Sequence, residues 1–130
     1  MSCVLRISNG VQTAMLAGDL EAAQELRLVA TPELYAKLKA NYLLVPHHGS
    51  KTSSTGPFLD AVQPQLALAQ AGYRNRFNHP VASVLQRYSE RNIGVFNSAS
   101  CGAATWQSSQ PSEMRCQRQQ GLRYWHYQPQ

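Results

Sequence analysis

The stretch VPHHGSKTSSTGPF, residues 45–58, sets two adjacent histidines behind an apolar run and ahead of a glycine and a string of hydroxyl residues. Paired imidazoles fill a core poorly, because each ring brings two nitrogens that need partners. They suit a metal or phosphate site, where a neutral ring nitrogen is a ligand and a charged ring a donor. The plain structural alternative is one exposed histidine and one bonded to backbone. The apolar run, residues 42–45, has the length of a buried strand, and Pro46 stops it by removing a ladder donor. What the fold and function turn on is which other residues reach the carboxyl end of that strand.

Working outward, strand-like and helix-like segments alternate, which predicts a layered α/β domain over residues 1–130. Residues 3–7 and 13–17 read as strands on either side of the Asn9 and Gly10 turn. Leu20, Ala23, Leu26 and Val29 recur at helical spacing, with Asp19 placed to cap that helix. Thr31 and Pro32 open a second short helix. Residues 57–62 read as a helical turn, 66–71 as a strand, 80–91 as a helix and 94–97 as a strand. Residues 103–107 and 122–127 are expected to pair as a final antiparallel hairpin, joined by a mobile polar connection over 108–120. Three strands thus end on polar loops: at Asp19, at His47 and His48, and at YRNRFNH (73–79). Layered α/β folds gather ligands at the carboxyl ends of strands.

Composition narrows the class. With 43% apolar and 15% charged residues the chain is no disordered tail, and no apolar run nears the roughly 20 residues that span a bilayer. No secretory leader follows Met1. The formal charge is +5. Arginines 74, 76, 87, 91, 115, 118 and 123 crowd the second half, as either a solvated surface or a nucleic-acid footprint. Three cysteines without a CxxC pair read as free thiols, with a Cys101–Cys116 bridge as the alternative.

A carboxylate at one strand end and an imidazole at another can share a divalent cation, since both ligate zinc or manganese. Asp19 and the histidine pair supply these types. Ser50, Lys51 and Ser53 make a hydroxyl-rich loop with one cation, suited to a phosphodiester. Arg74, Asn75 and Arg76 beside Tyr73 and Phe77 combine charge with rings, suited to backbone contact and base stacking, or to packing the loop on the sheet. YWHY (124–127) alternates as a half-buried strand.

Taken together and in this order, SCVLRI (2–7), MLAGD (15–19), VPHHGSKTSS (45–54) and AGYRNRFNHP (71–80) resemble one family. They are similar to the carboxyl-terminal part of the metallo-β-lactamase-like domain of ComEC-type competence proteins, membrane proteins that bring transforming DNA into bacteria. Ile93 and Gly94 match that family's Gly-Ile in reversed order. The resemblance runs to about residue 104. It departs at Asn78, where the family has glycine, and at Val81, where a second histidine is common.

The resemblance implies the carboxyl-terminal half of an αββα sandwich, a mixed β-sheet flanked by helices. It implies Asp19 as metal-bridging carboxylate and His48 as metal ligand, with His47 as the other candidate ligand or a substrate-facing group. It assigns His79 the catalytic role of proton donor or phosphate contact, and gives the DNA backbone to Ser50, Lys51, Ser53, Arg74, Asn75 and Arg76. The intact domain would be a zinc- or manganese-dependent phosphodiesterase or nuclease. The HxHxDH loop that supplies most of the ligands in this fold is absent; the one histidine beyond 47, 48 and 79 is His126. The 130-residue piece is therefore expected to be inactive alone and to hold no metal tightly. Its expected partners are DNA, the remainder of a parent embedded in the bacterial inner membrane, and a second copy through an uncovered sheet edge. The domain itself would lie on the extracytoplasmic side. The alternatives are a non-catalytic DNA-binding module of the uptake channel and a metallo-hydrolase of another ester or phosphodiester.

Overall fold

The structure, a computed structural model, describes residues 2–121. Five strands are joined in chain order into one sheet: β1 (Leu5–Ser8), β2 (Thr13–Leu16), β3 (Tyr42–Leu44), β4 (Leu66–Ala69) and β5 (Gly94–Asn97). β1 is antiparallel to β2, and β2 to β5 run parallel, so the sheet is mixed. Between them lie α1 (Ala22–Ala30), α2 (Pro32–Tyr35), α3 (Gly56–Val62) and α4 (Ala82–Ser89). Crossovers between neighbouring parallel strands are right-handed, so strands laid down in chain order carry their helices on one face.

The sequence explains that face. Met15, Leu43 and Ala67 stand in register across β2, β3 and β4, and each is at most 1% exposed. Phe58, Leu59 and Val62 of α3 and Val84 and Tyr88 of α4 close over them in a single core. Each such large side chain contributes about 1.5–3 kcal/mol on burial.

The opposite face is apolar as well, as in strands buried on both sides. Leu5, Leu16, Leu44, Leu68 and Phe96 form one row across it. Its cover is uneven among the described residues. Leu5 and Ile7 are 54% and 52% exposed, while Tyr42 is buried with Trp106 stacked on it at 5.3 Å.

Trp106 belongs to the second, two-stranded sheet, β6 (Ala104–Trp106) with β7 (Met114–Cys116), flanked by α5 (Ser98–Cys101) and α6 (Gln117–Gln120). Here the structure corrects two expectations. The partner of β6 is β7, inside the stretch read as a connection, and the strand expected over 122–127 lies outside the described residues. Cys101 and Cys116 are not free thiols but a buried disulfide that staples α5 to the end of β7. Cys3 is free and exposed. Among the described residues no helix is long and apolar enough to cross a membrane.

The start of α1 also differs. Glu21, not Asp19, is the N-cap, and its N–H donates to Gln24 Oε1 at 2.8 Å. Asp19 is left outside the helix with its carboxylate available.

Candidate functional site

β2 and β3 are adjacent and parallel, so their carboxyl ends deliver Asp19 and the histidine pair to one rim. Backbone geometry then aims the side chains. The His47 N–H donates to Gly18 O at 2.9 Å, and the Asp19 N–H to Ser2 Oγ at 2.9 Å. His47, His48 and Gly49 all take positive φ, at 46°, 56° and 82°. Glycine tolerates that region freely, but each histidine there costs on the order of 1–2 kcal/mol. Such strain persists where the surroundings dictate the conformation.

His48 is held from one side of its ring. Its Nδ1 lies 2.7 Å from the carbonyl oxygen of Gln70, which acts as acceptor and so fixes the proton on Nδ1. In the neutral ring Nε2 then carries the lone pair, and Nε2 lies 3.5 Å from Asp19 Oδ1. Metal-bound histidines are held by their second nitrogen in this way. Two donors on one tetrahedral zinc, each bonded at about 2.0–2.1 Å, stand about 3.3 Å apart. The observed spacing and donor chemistry fit a divalent cation between Asp19 and His48.

His47 sits behind the rim. Its Nδ1 is buried without a hydrogen bond and lies 3.4 Å from Glu21 Oε1. Glu21 went unrecognised as a site residue in the sequence. Its one signal was a carboxylate two residues past Asp19. His79 completes a ring cluster, 6.2 Å from His47 and near-perpendicular to it, and stacked on Phe77 at 5.5 Å. Partial desolvation, then the neighbouring His47 and His48, lower the His79 pKa, so less of the ring carries the proton that a donor role requires. Among the described residues no three His, Cys, Asp or Glu side chains form a group that could hold a metal ion. Asp19 also lines an open cleft of about 530 Å³ with Ser2, Cys3, Glu21 and Gln24.

The loop after the histidines is anchored from within. Ser53 is fully buried, and its hydroxyl donates to Pro46 O at 2.9 Å and Ser50 O at 3.0 Å. Ser50 is 8% exposed. These two serines, expected to face a phosphodiester, instead shape the loop, while Lys51 is exposed. Glu25 of α1, also fully buried, accepts the N–H groups of Ser54 and Thr55 at 2.7 Å each. Arg87 donates to the carbonyls of Ser53 and Ser54 at 2.8 and 3.1 Å, and the hydroxyls of Tyr88 and Ser54 share a bond. Desolvation raises the Glu25 pKa, against the opposing pull of the Thr55 and Ser54 bonds and of Arg87.

The basic loop is docked on the same rim. The Val81 N–H donates to Gly49 O at 3.0 Å. Asn75 is committed to holding this loop together: its amide donates to Gly72 O and His79 O and accepts from the His79 N–H. Asn78 takes φ 53°, a conformation glycine adopts freely and asparagine tolerates best among the other residues. Arg76 lies over the Phe77 ring at 4.6 Å, and Arg74 over the Tyr73 ring at 5.3 Å. Of the other arginines, Arg87 and Arg91 are structural, Arg91 forming a two-pronged bond to Asp60.

The rim thus brings one carboxylate, that of Asp19, together with the imidazoles of His47, His48 and His79. The chain is 38% identical over 102 residues to competence protein ComA of Neisseria gonorrhoeae, with 78% of this chain covered. It is 37% identical over 94 residues to ComE operon protein 3 of Bacillus subtilis, and 34% over 103 residues to recombination protein 2 of Haemophilus influenzae, covering 72% and 78% of this chain. The chain is thus homologous to part of the competence-protein family. It spans 14%, 12% and 12% of the lengths of these three relatives. No protein-family model matches it.

Proposed function

We propose that this chain is the carboxyl-terminal half of a metallo-β-lactamase-like αββα domain, and that the intact domain is a metal-dependent phosphodiesterase acting on DNA during uptake. The observation that carries the reading is the convergence of Asp19 Oδ1 and His48 Nε2 at 3.5 Å, with His48 Nδ1 held by the Gln70 carbonyl. Asp19 and His48 would hold the metal, with His47 behind them. A bound divalent metal supplies an activated water and offsets phosphate charge. The cleft beside Asp19 gives further ligands from the parent chain room to approach. Lys51, Arg74 and Arg76 would attract the DNA backbone, and His79 would offer hydrogen bonding to the phosphate.

The exposed β1 end of this apolar face, Leu5 and Ile7, is what a second sheet would cover in such a sandwich, and it also offers a surface for pairing with a second copy. The Cys101–Cys116 disulfide supports an extracytoplasmic position on a parent in the bacterial inner membrane, because such bridges persist in oxidising compartments.

The test compares the 130-residue chain with the parent's whole extramembrane domain, using a labelled DNA strand with manganese or zinc. Turnover by the whole domain, abolished by Asp19→Asn and by His48→Ala, and no turnover by the chain alone, is expected. Turnover unaffected by those substitutions would refute the assignment. DNA binding by the whole domain with no turnover under any metal would favour the non-catalytic module.

A further inference from the structure

We infer that the pocket beside His48 is a subsite for one unpaired nucleobase, so that the DNA brought to the rim is a single strand or a frayed end. The inference rests on reading the rim as a DNA phosphodiesterase centre. The pocket is about 200 Å³ and is lined by His48, Gln70, Ala71, Gly72, Asn75, Phe77 and His79. That is below the about 300–1,000 Å³ of ordinary ligand pockets and on the scale of a single flat ring.

Its walls are aromatic. Phe77 and His79 stack with 25° between their planes, and Phe77 is 59% exposed. Tyr73, on the same loop, is 47% exposed. A site that only tracked duplex phosphates would need the cations and not the rings. Exposed rings interleaved with Arg74 and Arg76 match the other case, in which unpaired bases stack while cations follow the backbone.

The pocket's polar groups also point to the manner of recognition. The Asn75 amide is committed to Gly72 and His79, and the Gln70 carbonyl to His48. The Ala71 N–H and carbonyl both bond Ser98 Oγ, at 2.9 and 3.0 Å. No carboxylate lines the pocket. With those backbone groups occupied and His48, Phe77 and His79 in the lining, a base is held chiefly by its face, so binding discriminates little among bases. His48 is part of the lining, so the bound nucleotide's phosphate lies next to the Asp19–His48 rim.

Gly72 offers a steric test. A Cβ there meets only the Asn75 Cβ, at 3.9 Å, and its φ lies outside the region reserved for glycine. Gly72→Leu therefore adds apolar bulk at the pocket wall with no clash at Cβ and no change of charge. Fluorescence anisotropy of the 130-residue chain would compare labelled 12-mers of dT and dA with a blunt 12-base-pair duplex at low salt. Circular dichroism of each variant would confirm its fold.

The wild type is expected to prefer the single strands and to bind dT and dA within a few-fold of each other. Phe77→Ala and Gly72→Leu should each weaken single-strand binding about 5- to 100-fold and leave duplex binding unchanged. If both variants bind single strands normally, or lose single strand and duplex alike, the base subsite is wrong. If the wild type binds both forms equally and only Arg76→Gln weakens them, the DNA reading stands and the subsite falls. If the wild type binds neither form, the DNA reading falls, and the subsite with it.

Discussion

Replacing Glu25 tests how the histidine-bearing loop is held. Its carboxylate accepts two N–H groups at 2.7 Å in a site with no exposure. Bonds to a charged acceptor contribute about 1.5–3 kcal/mol each, and breaking a buried charged network by removing one partner costs about 3–5 kcal/mol. Desolvation opposes part of this, which is why the carboxyl's pKa is raised. Glu25→Ala should therefore lower stability by about 3–4 kcal/mol. Taking a urea slope of about 2 kcal/mol/M, the midpoint falls by about 2 M.

Glu25→Gln keeps the shape and one acceptor but turns an N–H donor toward one of the two N–H groups, so it should cost about 1–2 kcal/mol. The pH dependence has a definite sign. A carboxyl with a folded pKa above its unfolded value contributes stability that is full below the unfolded value and lost as pH rises through the folded one. The advantage of wild type over Glu25→Gln should thus shrink as pH rises from 4 to 7. Urea titrations of the three proteins at several pH values read both effects. An alanine cost under about 1 kcal/mol, or an advantage that grows with pH, would refute the account of this clamp.

Other expectations are simpler. Reducing the Cys101–Cys116 bridge, which closes a loop with a sequence separation of 15, should cost about 3 kcal/mol, read as a fall in the thermal midpoint with dithiothreitol that Cys101→Ser reproduces. Gly49→Ala should displace the basic loop, because a Cβ there collides with Pro80, approaching its Cα to 2.8 Å, and because φ is +82°; amide shifts confined to the histidine and 72–80 loops would show it. Asn78→Gly should be tolerated, whereas Asn78→Val should destabilise by about 1–2 kcal/mol at its left-handed backbone, measured by urea denaturation.

The parts of the fold set by local pattern were legible in the sequence. Strand endings at Asp19 and Pro46 follow from turn and proline chemistry, and the parallel pairing of β2 with β3 turns those two endings into one rim. What could not be read was non-local. Glu25 looks like a solvated helix position, and its partners lie 29 and 30 residues away on a loop whose buried backbone groups required an acceptor. Ser53 looks like a loop hydroxyl open to a ligand, yet the loop folds over it. Cysteine spacing alone does not give connectivity. Polar residues over 108–120 mask a strand, because β7 is only three residues long and gains its support from the disulfide and from β6.

The central claim is that Asp19 and His48 present their donors to one cation, and manganese broadening of NMR signals tests it even where binding is weak. Substoichiometric Mn²⁺ added to the labelled chain should broaden the His48 ring signals and the Gly18 and Asp19 amides together, and Asp19→Asn should remove the effect from His48. Broadening of His48 that persists in Asp19→Asn, or that leaves the Asp19 segment sharp, would contradict it.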